Sequence, residues 1–377
     1  MDLEQITNVI LFFTYGVSLK TWESTGLLSR EMELYNQLSK KYDIKFTFVT
    51  YGDKHDYQYE DYFENLKILP IYALSKYSNS KAIRILKTLI IPFRLKKLIG
   101  KEKVIIKSNQ MYGAWVPIIF KLISRNALIV RTGYDLLEFS IKEKKNILKL
   151  LMYYLLTLFA LNISDIYIST SQYDIKNLQK RFIFKRKKLV HIPNWVPIID
   201  NNAQEIPNKK IIMVGRIEYQ KRFDLVLNLL GNTSFNVDIF GEGKLKKELQ
   251  KKSELFDNVN FHQKINNEDL LNKYSEYSFY LSLSDYEGNS KTILEALGSG
   301  CIVIASNIPN NLEIISNGSN GFIFENSKEN LIKLLDRIIN DPGTMMKISK
   351  EAKAYIERNN SIEVILNKEF EILTKLV

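Results

Sequence analysis

The stretch "IPNWVPIIDNNAQEIPNKK", residues 192–210, sets three prolines and a polar run between two regions that share one rhythm. Before it stand the short β-rich runs "VILFF" (9–13), "KFTFVT" (45–50), "VIIK" (104–107), "ALIVR" (127–131) and "DIYIST" (165–170). After it stand "KIIMVG" (210–215), "NVDIFG" (236–241), "NVNFH" (258–262), "SFYLSLS" (278–284) and "CIVIAS" (301–306). Segments of helical periodicity, such as 26–42 and 266–274, lie between them. Continuous apolar strands alternating with helices imply parallel sheets covered on both faces, and the proline-rich stretch reads as a linker. The expected fold is α/β, with two Rossmann-like doubly wound domains, 1–192 and 193–354, facing across a cleft. Ligands of such sheets bind outside the carboxyl ends of the strands. From about Asp341 the pattern is helical, and the last helix, about 355–377, is expected to pack back on the first domain.

Composition narrows the class. With 377 residues the chain exceeds the size at which one core stops growing. Its 45% hydrophobic and 25% charged content excludes disorder. The single cysteine, Cys301, lies in an apolar run and reads as an inert buried thiol. Three scattered histidines, His55, His191 and His262, offer no zinc-type cluster, and no metal site is expected. Asp2 and Glu4 directly precede the first apolar run, which is unlike a secretory leader and points to a cytoplasmic protein. "ILKLLMYYLLTLFAL" (147–161) is shorter than the roughly 20 residues of a membrane span and is interrupted by Lys149, so a buried helix is expected there. Charge is uneven: residues 1–195 carry 31 Lys and Arg against 17 Asp and Glu, whereas 196–377 carry 22 against 25. The first half is therefore expected to face something anionic.

Two segments of the second half carry candidate chemistry. "GRIEYQKRF" (215–223) follows a strand and reads as opening a helix; Gly215 permits a tight turn, and Arg216 and Lys221 set two cations beside a positive helix end, which suits a diphosphate. "FGEGKLKKEL" (240–249) resembles a dinucleotide fingerprint superficially, but Lys246 stands where its third glycine belongs, and nicotinamide binding is rejected. In "DYEGNSKTILEALGSG" (285–300), Glu287 and Glu295 are eight positions apart. On one helix this is roughly 12 Å of rise, beyond the ~5–9.5 Å of a hydrolytic carboxylate pair. The two acids therefore read as having different jobs. Gly288, Asn289 and Ser290 can present N–H groups to an anion or a sugar hydroxyl, and Glu295 can accept from a diol such as ribose.

Gly215, Arg216 and Lys221, then Glu242 in "GEG", then "EGNSKTILEALGSGCIVIAS", then "GFIF" from Gly321 closely resemble the retaining GT-B glycosyltransferases of family 4. "IPNWVP" resembles their interdomain segment, and in the first half "TYGVSLKTWESTG" and "VRTGY" carry a weaker likeness. The resemblance implies that Arg216 and Lys221 hold the diphosphate of a nucleotide sugar. Glu295 would bind the ribose, and Glu287 with Gly288, Asn289 and Ser290 would face the donor sugar. Glu242 joins this donor set; the base would sit near Lys264 and Ile265, and Gly16 would approach the diphosphate across the cleft. Two departures bear on which sugar is moved: Gly288 and Asn289 replace the common Phe and small residue, and "KSNQMYGAW" offers Asn109 and Gln110 where a histidine is frequent.

The function implied is a metal-independent, retaining hexosyl transfer to a glycan or lipid-linked acceptor in cell-envelope polysaccharide synthesis, with no cofactor beyond the donor substrate. Trp22, Tyr112, Trp115 and Tyr134 are candidates for the acceptor side. Residues 81–103 mix apolar residues with Lys81, Arg84, Lys87, Arg94, Lys96 and Lys97 and are expected to touch an anionic membrane peripherally. Two alternatives stand beside this reading: a GT-B-shaped epimerase or hydrolase of nucleotide sugars, and a non-enzymatic membrane or nucleic-acid binding protein. The latter leaves Arg216, Lys221, Glu287 and Glu295 unexplained, and no nucleic-acid partner is expected.

Overall fold

Thirteen strands form in the computed structural model among residues 8–184, 188–199, 208–325 and 327–376, which are the residues described. Positions 200–207 of the expected linker lie outside them. Contacts divide the chain into two units, Met1–Ile192 with Leu366–Val377, and Pro193–Ile365. The second unit therefore runs past 354. The helix Pro342–Asn360 stays with it, because Val196 N–H donates to Asn360 O at 3.0 Å and Ala352 and Ile356 are buried in its core.

In the first unit, β1 (Asn8–Phe12), β2 (Lys45–Thr50), β3 (Leu66–Pro70), β4 (Ile105–Ser108), β5 (Ala127–Thr132), β6 (Ile166–Ser169) and β7 (Leu189–His191) make one parallel sheet in the order β3-β2-β1-β4-β5-β6-β7. In the second, β8 (Lys210–Val214), β9 (Asn236–Phe240), β10 (Val259–His262), β11 (Phe279–Ser282), β12 (Ile302–Ser306) and β13 (Phe322–Phe324) are ordered β10-β9-β8-β11-β12-β13, again all parallel. Each order reverses once, between β1 and β4 and between β8 and β11, and such a switch point opens a crevice at the carboxyl ends.

The inner strands are apolar on both faces because helices cover both. All five residues of β12 are buried, as are four of five in β1. Helix limits follow local chemistry: Asn266 accepts from Asp269 N–H at 2.8 Å and starts Asn267–Tyr274, while Asp43 in a left-handed conformation ends Leu28–Tyr42. Within the first unit the last helix packs through Phe370, whose ring stacks on Tyr42 at 3.7 Å, and through Glu369, which receives Lys107 Nζ from β4 at 2.5 Å. The helix Ile147–Ile163 departs from expectation. Only Thr157, Ala160 and Leu161 are buried, and its N-terminal half is largely exposed. Among the described residues no helix is long and apolar enough to cross a membrane.

Candidate functional site

At the switch point of the second sheet, the turns leaving β8 and β11 are laced together. Asp285 N–H donates to Gln220 O at 3.0 Å, Gln220 Nε2 donates to Tyr286 O at 2.8 Å, and Arg222 pairs with Asp285 at 3.2 Å. Their centre is an ion pair: Lys221 Nζ donates to Glu287 Oε1, which also accepts from Ser284 Oγ at 2.6 Å. Glu287 is buried, Lys221 is half-buried and Arg216 is exposed. The segment after Gly215 does not open a helix. It makes a 3₁₀ turn, Tyr219–Lys221, then a left-handed Arg222, and the helix Asp224–Leu230 begins with an acid that Arg222 pairs with at 3.1 Å. The expected dipole contribution is thus absent at this turn, and its positive charge resides in the side chains of Arg216 and Lys221.

The turn after β9 lies against the same place. A Cβ at Gly241 would stand 1.9 Å from Gly215 O, and one at Gly243 would stand 2.3 Å from Ile217 O. These glycines let two backbones touch, with Ile217 N–H donating to Glu242 O at 2.9 Å. That packing accounts for both glycines of the "GEG" pattern. Glu242 is exposed, and Lys246 at 2.6 Å, aided by the Lys264 N–H, holds its carboxyl below the usual range. Lys246 also donates to His262 O at 2.8 Å, which ties in the turn after β10 where Lys264 is exposed and Ile265 half-buried. His262 is engaged elsewhere, bonded to Asp238 at 2.7 Å and stacked on Phe240.

The two glutamates do not share a helix. The helix is Lys291–Gly298, with Ser290 at the position just before it, so only Glu295 lies on it and the 12 Å estimate does not apply. Glu295 is fully buried, and its Oε1 accepts from Asn267 Nδ2 at 3.0 Å. Gly288 and Ser290 are buried and Asn289 is half-buried. Asn289 is clamped by a residue the sequence reading passed over. Asn194 N–H donates to Asn289 Oδ1 at 2.8 Å, Asn194 Nδ2 donates to Asn289 O at 2.7 Å, and Asn360 Nδ2 supports Asn194 O at 2.7 Å. The available signal was a polar residue amid apolar neighbours in "IPNWVP", since buried amides are kept only when their hydrogen bonds are met.

Ten of the donor-side residues, Gly215, Arg216, Lys221, Glu242, Lys264, Ile265, Glu287, Gly288, Asn289 and Ser290, thus belong to four turns at strand carboxyl ends, with Glu295 further along the following helix. In the first unit the corresponding strand ends carry aromatics. Gly16 is exposed beside Tyr15, whose ring meets Tyr51, Tyr112 and Trp115 at 5.1, 5.7 and 5.3 Å. The Tyr15 hydroxyl is buried without a hydrogen-bond partner among the described residues. Trp115 Nε1 donates to Thr88 Oγ1 at 2.9 Å, and Gln110 accepts from Gly133 N–H at 2.9 Å. Tyr134 lies apart, against Phe139 at 4.5 Å. Trp22 is a core residue, 4% exposed and stacked on Phe13 at 4.2 Å, and leaves the acceptor set.

Two doubly wound parallel sheets with a polar, cationic switch point in the second define a GT-B architecture, and solved glycosyltransferases share it. An Anabaena HepE structure in complex with UDP and glucose aligns with TM-score 0.75 at 16% identity, covering 98% of this chain and 100% of that one. Sucrose-phosphate synthase from Thermosynechococcus elongatus aligns with TM-score 0.78 at 15% identity over 98% and 99%. Residues 198–355 match the family model of glycosyl transferases group 1. The O-antigen biosynthesis glycosyltransferase WbnH of Escherichia coli is 25% identical over 252 residues, 66% of this chain and 71% of the relative.

Proposed function

We propose that the protein transfers a hexose-type sugar, with retention of configuration, from a nucleoside-diphosphate sugar to a glycan or lipid-linked acceptor in cell-envelope polysaccharide synthesis. The observation that carries this is the Lys221–Glu287 pair at the β8/β11 switch point, beside the exposed Arg216. A donor diphosphate would take Lys221 and Arg216, and Glu287 would be released toward the sugar hydroxyls. Gly288, Asn289 and Ser290 would line the sugar, and Glu242, Lys264 and Ile265 the nucleoside side. Glu295 would take the ribose.

In the transfer, the acceptor oxygen bonds to the anomeric carbon as the bond from that carbon to phosphate oxygen breaks, its electron pair leaving on the diphosphate. The acceptor proton passes to a phosphate oxygen on the same face, which retains configuration without a protein nucleophile. Arg216 and Lys221 stabilise the charge that develops on the leaving group, which supports a reaction independent of metal. Trapping a glycosyl adduct on Glu287 would end this route. Tyr112, Trp115 and Tyr134 would receive the acceptor in the first unit, and residues 81–103 would bring a cytoplasmic enzyme to the membrane.

The test is a thermal-shift panel of UDP, GDP, ADP, dTDP and CMP on wild type and on Arg216→Ala/Lys221→Ala. A ligand at about a hundred times its dissociation constant stabilises by roughly 2.7 kcal/mol. UDP is tried first, because the HepE structure holds it. One diphosphate that stabilises wild type alone supports the reading; none, with folding intact, removes it.

A further inference from the structure

The outer surface of one helix layer in the first unit is apolar where a helix layer should be polar. The helices Lys81–Ile99, Trp115–Ser124 and Ile147–Ile163 follow β3, β4 and β5, and right-handed crossovers put all three on one face of the sheet. The middle helix touches the other two, so the layer is continuous. Lys81–Ile99 buries Thr88, Ile91, Pro92 and Leu95, yet on its opposite side Ile83, Leu86, Leu89, Ile90 and Phe93 are exposed. In Ile147–Ile163, Ile147 is 81% and Leu148 73% exposed, and Leu151, Met152, Leu155 and Phe159 are exposed as well. A helix apolar all round is normally buried, and among the described residues nothing covers the outer side of this one.

Charge identifies what covers it. The three helices hold eight cations and no Asp or Glu. On Lys81–Ile99, Lys87, Arg94 and Lys96 border the apolar strip and donate to the neutral carbonyls Lys76 O, Leu74 O and Ile123 O. Their charge is uncompensated. A second copy seated on this face would oppose cation to cation, because among the described residues only Lys121 of the eight is paired with an acid, Asp165. A polyanion without apolar surface would leave Leu148 and Phe93 in water. An anionic bilayer meets both demands. At 17 residues, about 25 Å long, the helix Ile147–Ile163 fits within the plane of one leaflet.

We propose that this layer docks on an anionic lipid bilayer, with the N-terminal half of Ile147–Ile163 entering the acyl region and the cations of Lys81–Ile99 lying at the headgroups. This adds the penetrating element to the contact through 81–103, and it stands whether or not sugar transfer is shown. The full chain is floated with vesicles of phosphatidylcholine alone and of equal parts phosphatidylcholine and phosphatidylglycerol. Wild type is expected to rise with the mixed vesicles only. Leu148→Glu/Leu151→Glu is expected to lose at least tenfold in partition at every salt concentration. Lys81→Gln/Lys97→Gln is expected to lose about fivefold per charge at low salt and little at high salt.

A second readout is direct. Cys301 is buried and its thiol is pushed up to about 12, so a Leu151→Cys variant can be labelled there alone with an environment-sensitive dye. Its emission is expected to shift to the blue on the mixed vesicles. The proposal is overturned if wild type stays at the bottom with both vesicles, if the Leu148→Glu/Leu151→Glu variant, folded by circular dichroism, floats as wild type, or if the dye sees no change. A wild-type dimer that this variant splits would overturn it in favour of self-association.

Discussion

Two lysine–glutamate pairs, Lys107–Glu369 in the first unit and Lys221–Glu287 in the second, differ in where they stand. Lys107 and Glu369, in the first unit, are 2% and 1% exposed, in the middle of β4 and under the last helix. Lys221 and Glu287, in the second, are 15% and 8% exposed, beyond the strand ends at a switch point. The same chemistry is sealed in one place and reachable in the other. Burial pulls Lys107 below the usual lysine range while Glu369 opposes that shift, and no ligand has a path to either charge through the covering layer. Lys221 and Glu287 can trade each other for a ligand's charges. A buried pair fastens a fold when both faces are covered, and serves a site when one end is open.

The first way to break that distinction has the largest effect. Glu369→Ala leaves Lys107 buried without its partner and is expected to cost about 3–5 kcal/mol of stability. Lys107→Met/Glu369→Leu, which replaces both charges by apolar groups, is expected to fall within about 1 kcal/mol of wild type. Urea denaturation measures both. A Glu369→Ala protein as stable as wild type would mean that the last helix is held by Phe370 and its apolar neighbours alone.

The open pair should answer differently. Arg216→Ala and Lys221→Met are expected to lower turnover by about 10²–10³, roughly 2.7–4 kcal/mol of transition-state stabilisation, with smaller effects on unfolding. If Lys221→Met/Glu287→Leu keeps full turnover, the pair is structural in both units and the contrast collapses. Asn194→Ala sharpens the comparison. It removes the side-chain hydrogen bond from Asn194 Nδ2 to Asn289 O, keeps the backbone one, touches neither charge, and is expected to cost about 1–3 kcal/mol. Expressed mainly as a raised KM for the donor with kcat less affected, that loss identifies a positioning role; equal loss with every substrate identifies a purely structural one.

The inner framework of both sheets was legible in sequence because inner strands bury both faces and so read as unbroken apolar runs. The strands missed, β3, β7 and β13, are all edges. β7 has no fully buried residue, and β3 has only Ile68 and Pro70 buried, so neither shows the run that reveals its inner neighbours. In the site, Gly215, Arg216, Lys221 and Glu287 were found because their residue types are chosen by chemistry at turns. Asn194 and Ser284 were missed because their role lies in partners distant in sequence or hidden by a turn. The helix at Ile147 was misjudged for a simpler reason. Apolar composition shows that a segment avoids water, but not whether protein or something else is to cover it.

The smallest expected effects lie at the aromatic strand ends of the first unit. Tyr112→Leu removes ring contacts to Tyr15, Trp115 and Tyr153, each within 6.3 Å. It is expected to weaken acceptor binding by about 0.5–1.5 kcal/mol and to leave the donor KM unchanged. Trp22→Phe, on the helix Leu19–Ser24 and stacked inside the core, should lower the thermal midpoint and leave both KM values where they are. Steady-state kinetics with acceptor and donor varied in turn separates the two. If Trp22→Phe raised the acceptor KM while Tyr112→Leu did not, the exposed rim would be packing and the acceptor would have to be sought elsewhere in that unit. The direction of the difference matters more than its size, because an aromatic that touches a ligand and one that fills a core lose similar free energies but charge them to different equilibria.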